Sequence, residues 1–146
     1  MVKMLTFFIM TCLLFFSCVS SPDEASNEAT NETESLSEGQ RLKMSGKLAE
    51  EARIKLDHNE NAEGLDLANK ALALDPTNCN ALMQKGRAYM HFQKINSAIT
   101  SFESALNHCH NQIHPLVSLA RCYNESGEIE KSHEYLDKAL EINPNE

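Results

Sequence analysis

An all-α fold of three stacked helical hairpins is what this sequence predicts, on three observations. The stretch ALALDPTN at 71–78 returns as ALEINPNE at 139–146, with ALNHCHNQ at 105–112 midway, so the chain repeats every 34 residues. Each copy carries two apolar-periodic segments of about fourteen residues, long enough for helices and too short to be stable singly. Polar breaks fall within the copies at HNEN (58–61), QKIN (93–96) and SGE (126–128). Others fall between copies, at DPTN (75–78) and NHCHNQIHP (107–115).

The elements follow in order from the N-terminus. MVKMLTFFIMTCLLFFSC holds one lysine, Lys3, then an apolar run from Met4 to Phe16 interrupted only by Thr6 and Thr11. The run is short for a bilayer span and has the build of a signal-peptide core, assigned to 1–17. It ends in LFFSCVSSPDE, with small Ser17 directly before Cys18. This junction resembles the lipobox of bacterial lipoproteins. It departs in having Phe16 where a small residue is usual and Phe15 where leucine is frequent. The resemblance implies cleavage before Cys18, lipidation of that cysteine with palmitate or a similar acyl chain, and export. It also implies a lipid-anchored place on the inner or outer membrane of a bacterial cell envelope, since acyl chains hold a protein there without a spanning helix. The segment VSSPDEASNEATNETESLSEGQ (19–40) has Asp23, Glu24, Glu28, Glu32, Glu34 and Glu38 but no basic or aromatic residue. It cannot bury enough apolar surface to offset its ordering entropy, so a disordered acidic tether is expected over 18–44.

The folded part is read as 45–146, in copies 45–78, 79–112 and 113–146. Leu48, Leu82 and Leu116 recur in step, as do the small residues Ala52, Gly86 and Ala120. Tyr89 and Tyr123 share an offset at which the first copy has Lys55. In the second halves Gly64, Ala98 and Ser132 are small, and Ala71, Ala105 and Ala139 are identical. Small residues let paired helices approach, while Leu72, Leu106 and Leu140 help fill the gaps. This pattern resembles the tetratricopeptide repeat, and the middle copy fits it best through Leu82, Gly86, Tyr89, Ala98, Phe102 and Ala105. The departures are the absent tryptophans, Lys55, and His110 in place of proline. The resemblance implies a short right-handed solenoid of three helix–turn–helix repeats with a concave, protein-binding groove.

Arg53, Arg87 and Arg121 stand 34 residues apart. In tetratricopeptide repeats this offset on the first helix faces the groove, together with Ala49, Met83 and Val117, then Leu56, Met90 and Asn124. The resemblance thus implies a guanidinium ladder over an apolar floor. Arginine forks grip carboxylates, and methionine adapts to varied apolar side chains. The competing reading is solvated surface pairing, since Arg53–Asp57 and Arg121–Glu125 are i,i+4 pairs, a pattern that His91 breaks in the middle copy. The set is not the carboxylate clamp of chaperone-binding members of the family. That clamp uses Lys and Asn in the first repeat, where this chain has Ala49 and Arg53.

Of the remaining polar clusters, His108, His110 and His114 beside Cys109 are weak metal candidates. In the repeat frame His108 closes a helix, His110 lies in the inter-repeat turn and His114 just precedes the next helix. A degenerate turn in which polar residues replaced Leu-Asp-Pro is the favoured reading, and neither metal nor cofactor is expected. Cys122 reads as a small core residue. Cys79 and Cys109 bound the middle copy, and antiparallel helices bring those ends to one side; two unpaired thiols are the default reading, with a disulfide as the alternative in an exported protein.

No nucleophile–base–orienter set, Gly-rich phosphate loop or paired-carboxylate motif occurs, so the chain is read as non-catalytic. With 21 acidic against 13 basic residues the net charge is −8, which argues against nucleic acid and against electrostatic docking on anionic lipid. The expected function is a protein–protein interaction module, exported and lipid-anchored, that holds a partner segment in its groove. The alternative is a homo-oligomeric structural or assembly lipoprotein of an envelope secretion, pilus or outer-membrane complex. In that reading the last copy, lacking a capping helix, pairs with another subunit.

Overall fold

A computed structural model describes residues 36–143. The leader, Cys18 and the tether through residue 35 lie outside the described residues. Among the described residues there are six helices and no strand: α1 (Glu38–Asp57), α2 (Asn61–Leu74), α3 (Cys79–His91), α4 (Ile95–His108), α5 (Ile113–Glu125) and α6 (Ile129–Ile142). They pair as three antiparallel hairpins, α1/α2, α3/α4 and α5/α6, with α2 against α3 and α4 against α5.

The expected start of the folded part at 45 is corrected. α1 begins at Glu38, so the last residues assigned to the tether are helical. The reason is local. Ser37-Glu38-Gly39-Gln40 is a capping box: the Gln40 amide donates to Ser37 Oγ at 3.4 Å, and the Ser37 amide donates to Gln40 Oε1 at 2.9 Å. Composition alone hid this signal in an acidic run.

The turn inside each hairpin is the same structure three times. Asn59, Gln93 and Gly127 occupy equivalent positions with φ of 63°, 56° and 83°. The next amides, of Glu60, Lys94 and Glu128, donate back to the carbonyls of Lys55, Tyr89 and Tyr123 at 2.9, 2.9 and 2.8 Å. Asn59, Gln93 and Gly127 themselves donate to Leu56, Met90 and Asn124. This is the Schellman arrangement, which satisfies the last carbonyls of a helix and needs one left-handed residue. Only Gly127 adopts that conformation without steric cost.

Between the first two copies the join is made by polar groups. Ser45 Oγ, fully buried, donates to the Ala71 carbonyl at 2.9 Å and accepts from Asn78 Nδ2 at 2.7 Å. Asn78 Oδ1 in turn accepts the Ala81 amide at 3.0 Å and so caps α3. Between the second and third copies the N-cap residue Gln112 makes no such bond, and Asn111 Oδ1 accepts the Ile113 amide at 3.0 Å instead. α5 starts at Ile113, so His114 lies inside its first turn rather than before it, and Pro115 follows where its missing N–H is not needed.

The two inter-hairpin interfaces differ in bulk. The first is built from Ala49, Ala71 and Ala81, all fully buried, and α1 lies close along α3. The second is built from Phe102, Leu119, Cys122 and Tyr123, with Met83 and Met90 packed against them. These larger side chains hold α5 away from α3, and the close α1–α3 approach has no counterpart between α3 and α5. Burial pushes the Cys122 thiol up to about 11, as suits an inert core residue. Cys79 and Cys109 are joined by a disulfide with Cα atoms 5.1 Å apart, tying the start of α3 to the end of α4.

Candidate functional site

The unequal spacing of the first helices decides what happens along the row of arginines. On α1, Arg53 sits between two carboxylates of its own helix: Nη2 is 2.6 Å from Glu50 Oε1, and Nη1 is 2.6 Å from Asp57 Oδ2. Asp57 offers its other oxygen, Oδ1, to Arg87 Nη2 of α3 at 2.8 Å. One carboxylate therefore bridges two successive steps of the row. The Arg87 hydrogen bond is the chief reason the Asp57 carboxyl is held below the usual carboxylate range.

At the next step the pattern changes. The residue 34 positions after Asp57 is His91, which brings no carboxylate to the space between Arg87 and Arg121. There a pocket of about 280 Å³ opens, lined by Arg87, Met90, His91, Arg121 and Glu125. Arg87 is already oriented, through Asp57 and through Gln84 Oε1, which accepts from Nη1 at 2.7 Å. Arg121 gives its Nε to Glu125 at 3.1 Å, and its two terminal nitrogens make no bond among the described residues. Chemically the pocket presents two guanidinium forks, one fixed and one movable, beside a methionine wall. Such a site fits a carboxylate attached to an apolar neighbour.

The other residues of the expected groove are distributed elsewhere. Ala49 and Leu56 are buried in the stack rather than exposed as a floor. Met83 packs against the core between the second and third hairpins, because its position points toward the following hairpin. Val117, at the same offset, has no following hairpin among the described residues and lines a different furrow, with Leu136 and Leu140. Asn124 is exposed and does not line the arginine pocket. The solvated-pair reading is partly realised too, since Arg53–Asp57 and Arg121–Glu125 are formed ion pairs. What sequence reasoning missed was the second bond of Asp57, across hairpins, and the lining roles of His91 and Glu125. The signal was present: Asp57, His91 and Glu125 share one offset of the repeat.

The histidine cluster does not converge. Cys109 is buried and bonded to Cys79, and His108, His110 and His114 are exposed. Among the described residues no group of three or more His, Cys, Asp or Glu side chains is placed to hold a metal ion. No helix among them is long and apolar enough to cross a membrane.

Comparison with known proteins addresses the fold. The tetratricopeptide repeat family model matches residues 113–146. That is the third copy rather than the middle one; it keeps Pro144 where the middle copy has His110. No curated protein matches the chain. Among solved structures, the tetratricopeptide domain of Arabidopsis OM64 is similar with a TM-score of 0.69 at 10% identity, over 73% of this chain and 88% of that one. The first such domain of Spaghetti (RPAP3), bound to the HSP90 peptide SRMEEVD, has a TM-score of 0.68 at 17% identity, over 72% and 83%. YrrB, described as a TPR protein with an unusual peptide-binding site, has a TM-score of 0.61 at 24% identity, over 68% and 51%. The three hairpins thus form the all-α solenoid of tetratricopeptide repeats, as the period of 34 residues implies.

Proposed function

We propose that this chain is a non-catalytic protein-interaction module that receives an acidic side chain or chain terminus of a partner protein between Arg87 and Arg121. One observation carries the reading. At the first step of the row the chain's own Asp57 bridges Arg53 and Arg87, and at the second step that carboxylate is missing while a pocket of about 280 Å³ stands in its place. A partner carboxylate there would take the bridging position that Asp57 takes one repeat earlier. The peptide bound by the similar Spaghetti domain contains two glutamates and an aspartate, which supports acidic ligands on this fold. On this reading Cys18 carries the lipid anchor, and the module works at a bacterial envelope membrane.

The test fills the pocket from within. His91→Asp supplies the carboxylate in cis, and fluorescence anisotropy then measures binding of labelled acidic peptides, SRMEEVD among them. Each charge-assisted contact is worth about 1.5–3 kcal/mol, so Arg87→Ala or Arg121→Ala should weaken binding by about tenfold or more. His91→Asp should compete with the peptide to a similar degree. Binding that is indifferent to all three changes sinks the proposal. The anchor is tested separately: Cys18→Ala should move the protein from the membrane to the soluble fraction of cells, and unchanged fractionation refutes lipidation there.

A further inference from the structure

A second surface, at the end of the stack, carries an inference beyond the arginine pocket. In the second repeat Met83, Phe102 and Leu106 pack in the cluster that contains Leu119 and Cys122 of α5, and Phe102 is fully buried. In the first repeat Ala49 and Leu72, at the offsets of Met83 and Leu106, pack in the cluster that contains Ala81 of α3. The equivalent residues of the third repeat are Val117, Leu136 and Leu140, which are 45%, 39% and 45% exposed. With Ile113 and Ala139 they line an apolar furrow of about 220 Å³ between α5 and α6.

The molecule itself shows what such a face accepts. Each internal copy is covered by a single helix laid along the furrow, never by a second pair. The covering helix presents small or aliphatic residues at i and i+7: Ala81 and Ala88 on α3, Pro115 and Cys122 on α5, where Leu119 adds i+4. A furrow against an identical furrow offers no ridge to fill it. Nor does α1 of a second copy serve, because charged Lys47 stands at the first of those positions, where α3 and α5 have Ala81 and Pro115, and it is paired with Glu51 at 3.8 Å. Charge at that end blocks head-to-tail growth of the stack.

We infer that the α5/α6 furrow is a docking site for one amphipathic helix of a partner protein, with small or aliphatic residues at i, i+4 and i+7, and that it is separate from the arginine pocket. The helix lies where a fourth repeat's first helix would lie and buries Val117, Leu136 and Leu140.

The probe is a stapled, labelled peptide of residues 111–126 carrying Cys122→Ala, which reproduces the helix that covers the second repeat. It is titrated against the full chain, whose oligomeric state is followed by sedimentation. The expected result is saturable binding to a monomeric chain with a dissociation constant of about 1 mM or tighter. Leu136→Asp should weaken it by about tenfold or more, as expected when a leucine loses its burial. Val117→Glu serves if Leu136→Asp does not fold. Arg87→Ala should leave peptide binding unchanged, which separates this site from the pocket. Absence of saturation overturns the inference. So does self-association of the chain that Leu136→Asp abolishes, since the occupant is then a second copy.

Discussion

Replacing Gly86 by alanine tests how the middle hairpin is packed, because two opposing effects have calculable sizes there. In a helix interior the change removes backbone freedom from the unfolded chain and should stabilise by about 1 kcal/mol. A Cβ at this position, however, would stand 2.4, 2.7 and 2.7 Å from three ring atoms of Phe102. Phe102 is fully buried among Ala98, Leu119, Cys122 and Tyr123, so the ring cannot swing into solvent to make room. With three contacts this short, the overpacking cost belongs near the upper end of its range, about 3 kcal/mol. The net expectation is destabilisation by about 2 kcal/mol, roughly a 10 °C fall in melting temperature for a domain of this size. In a Phe102→Ala background the ring is gone, and the same Gly86→Ala change should stabilise by about 1 kcal/mol. Urea titration of the four proteins should therefore give an interaction energy near 3 kcal/mol with a reversal of sign. Phe102→Leu is the milder background if Phe102→Ala costs too much stability to measure. Additive effects of the two substitutions, or stabilisation by Gly86→Ala in the parent chain, would refute the packing argument.

Three further outcomes are expected. The Cys79–Cys109 bond closes a loop with a sequence separation of 30, so the Cys79→Ser/Cys109→Ser protein should lose about 3–4 kcal/mol in urea denaturation; an unchanged midpoint contradicts the cross-link. Ser45→Ala removes one of two bonds to the Ala71 carbonyl, which keeps the Asp75 amide, and takes the acceptor from Asn78 Nδ2. It should cost about 1 kcal/mol, and a neutral result contradicts a role for this join in stability. Glu50, Asp57, Glu60, Glu128 and Glu134 are held below the usual carboxylate range, chiefly by hydrogen bonds from Arg53, Arg87, Lys55, Lys131 and Lys138 in turn. Depressed values stabilise above the unfolded carboxylate pKa of about 4 and lose that contribution as pH falls through the folded values. The melting temperature should thus be level above about pH 5.5 and decline below about pH 4, shallowly because these pairs are exposed. A melting temperature that rises on acidification contradicts the sign.

A conformational reason connects the proposed pocket to the packing. The alanine interface draws α1 and α3 together until one side chain, Asp57, reaches both Arg53 and Arg87. The Phe102–Leu119 interface spreads α3 from α5, which leaves beside His91 the room that the first step of the row lacks. The pocket and the wider interface thus both follow from Met83 and Phe102, which stand in the second repeat where the first has Ala49 and Ala68. Shrinking Phe102 should narrow the pocket as well as loosen the core, which couples partner affinity to packing without any contact between Phe102 and the partner.

The helices and turns were legible in the amino-acid sequence because their causes are local. Apolar spacing, the breaks at HNEN, QKIN and SGE, and the recurring alanines locate five of the six helices, since propensity and turn geometry act within a few residues. The start of α1 was missed only because a short capping box lay in an acidic run. Which side chains meet was a different kind of question. Arg53, Arg87 and Arg121 share an offset, yet the first two are bridged by Asp57 while a pocket separates the second and third. Met83 and Val117 share another, yet one is packed in the core and the other lines an open furrow. Periodicity assigns equivalent residues to equivalent faces. The distance between those faces depends on the volumes of side chains contributed by neighbouring repeats, and only the assembled stack decides it.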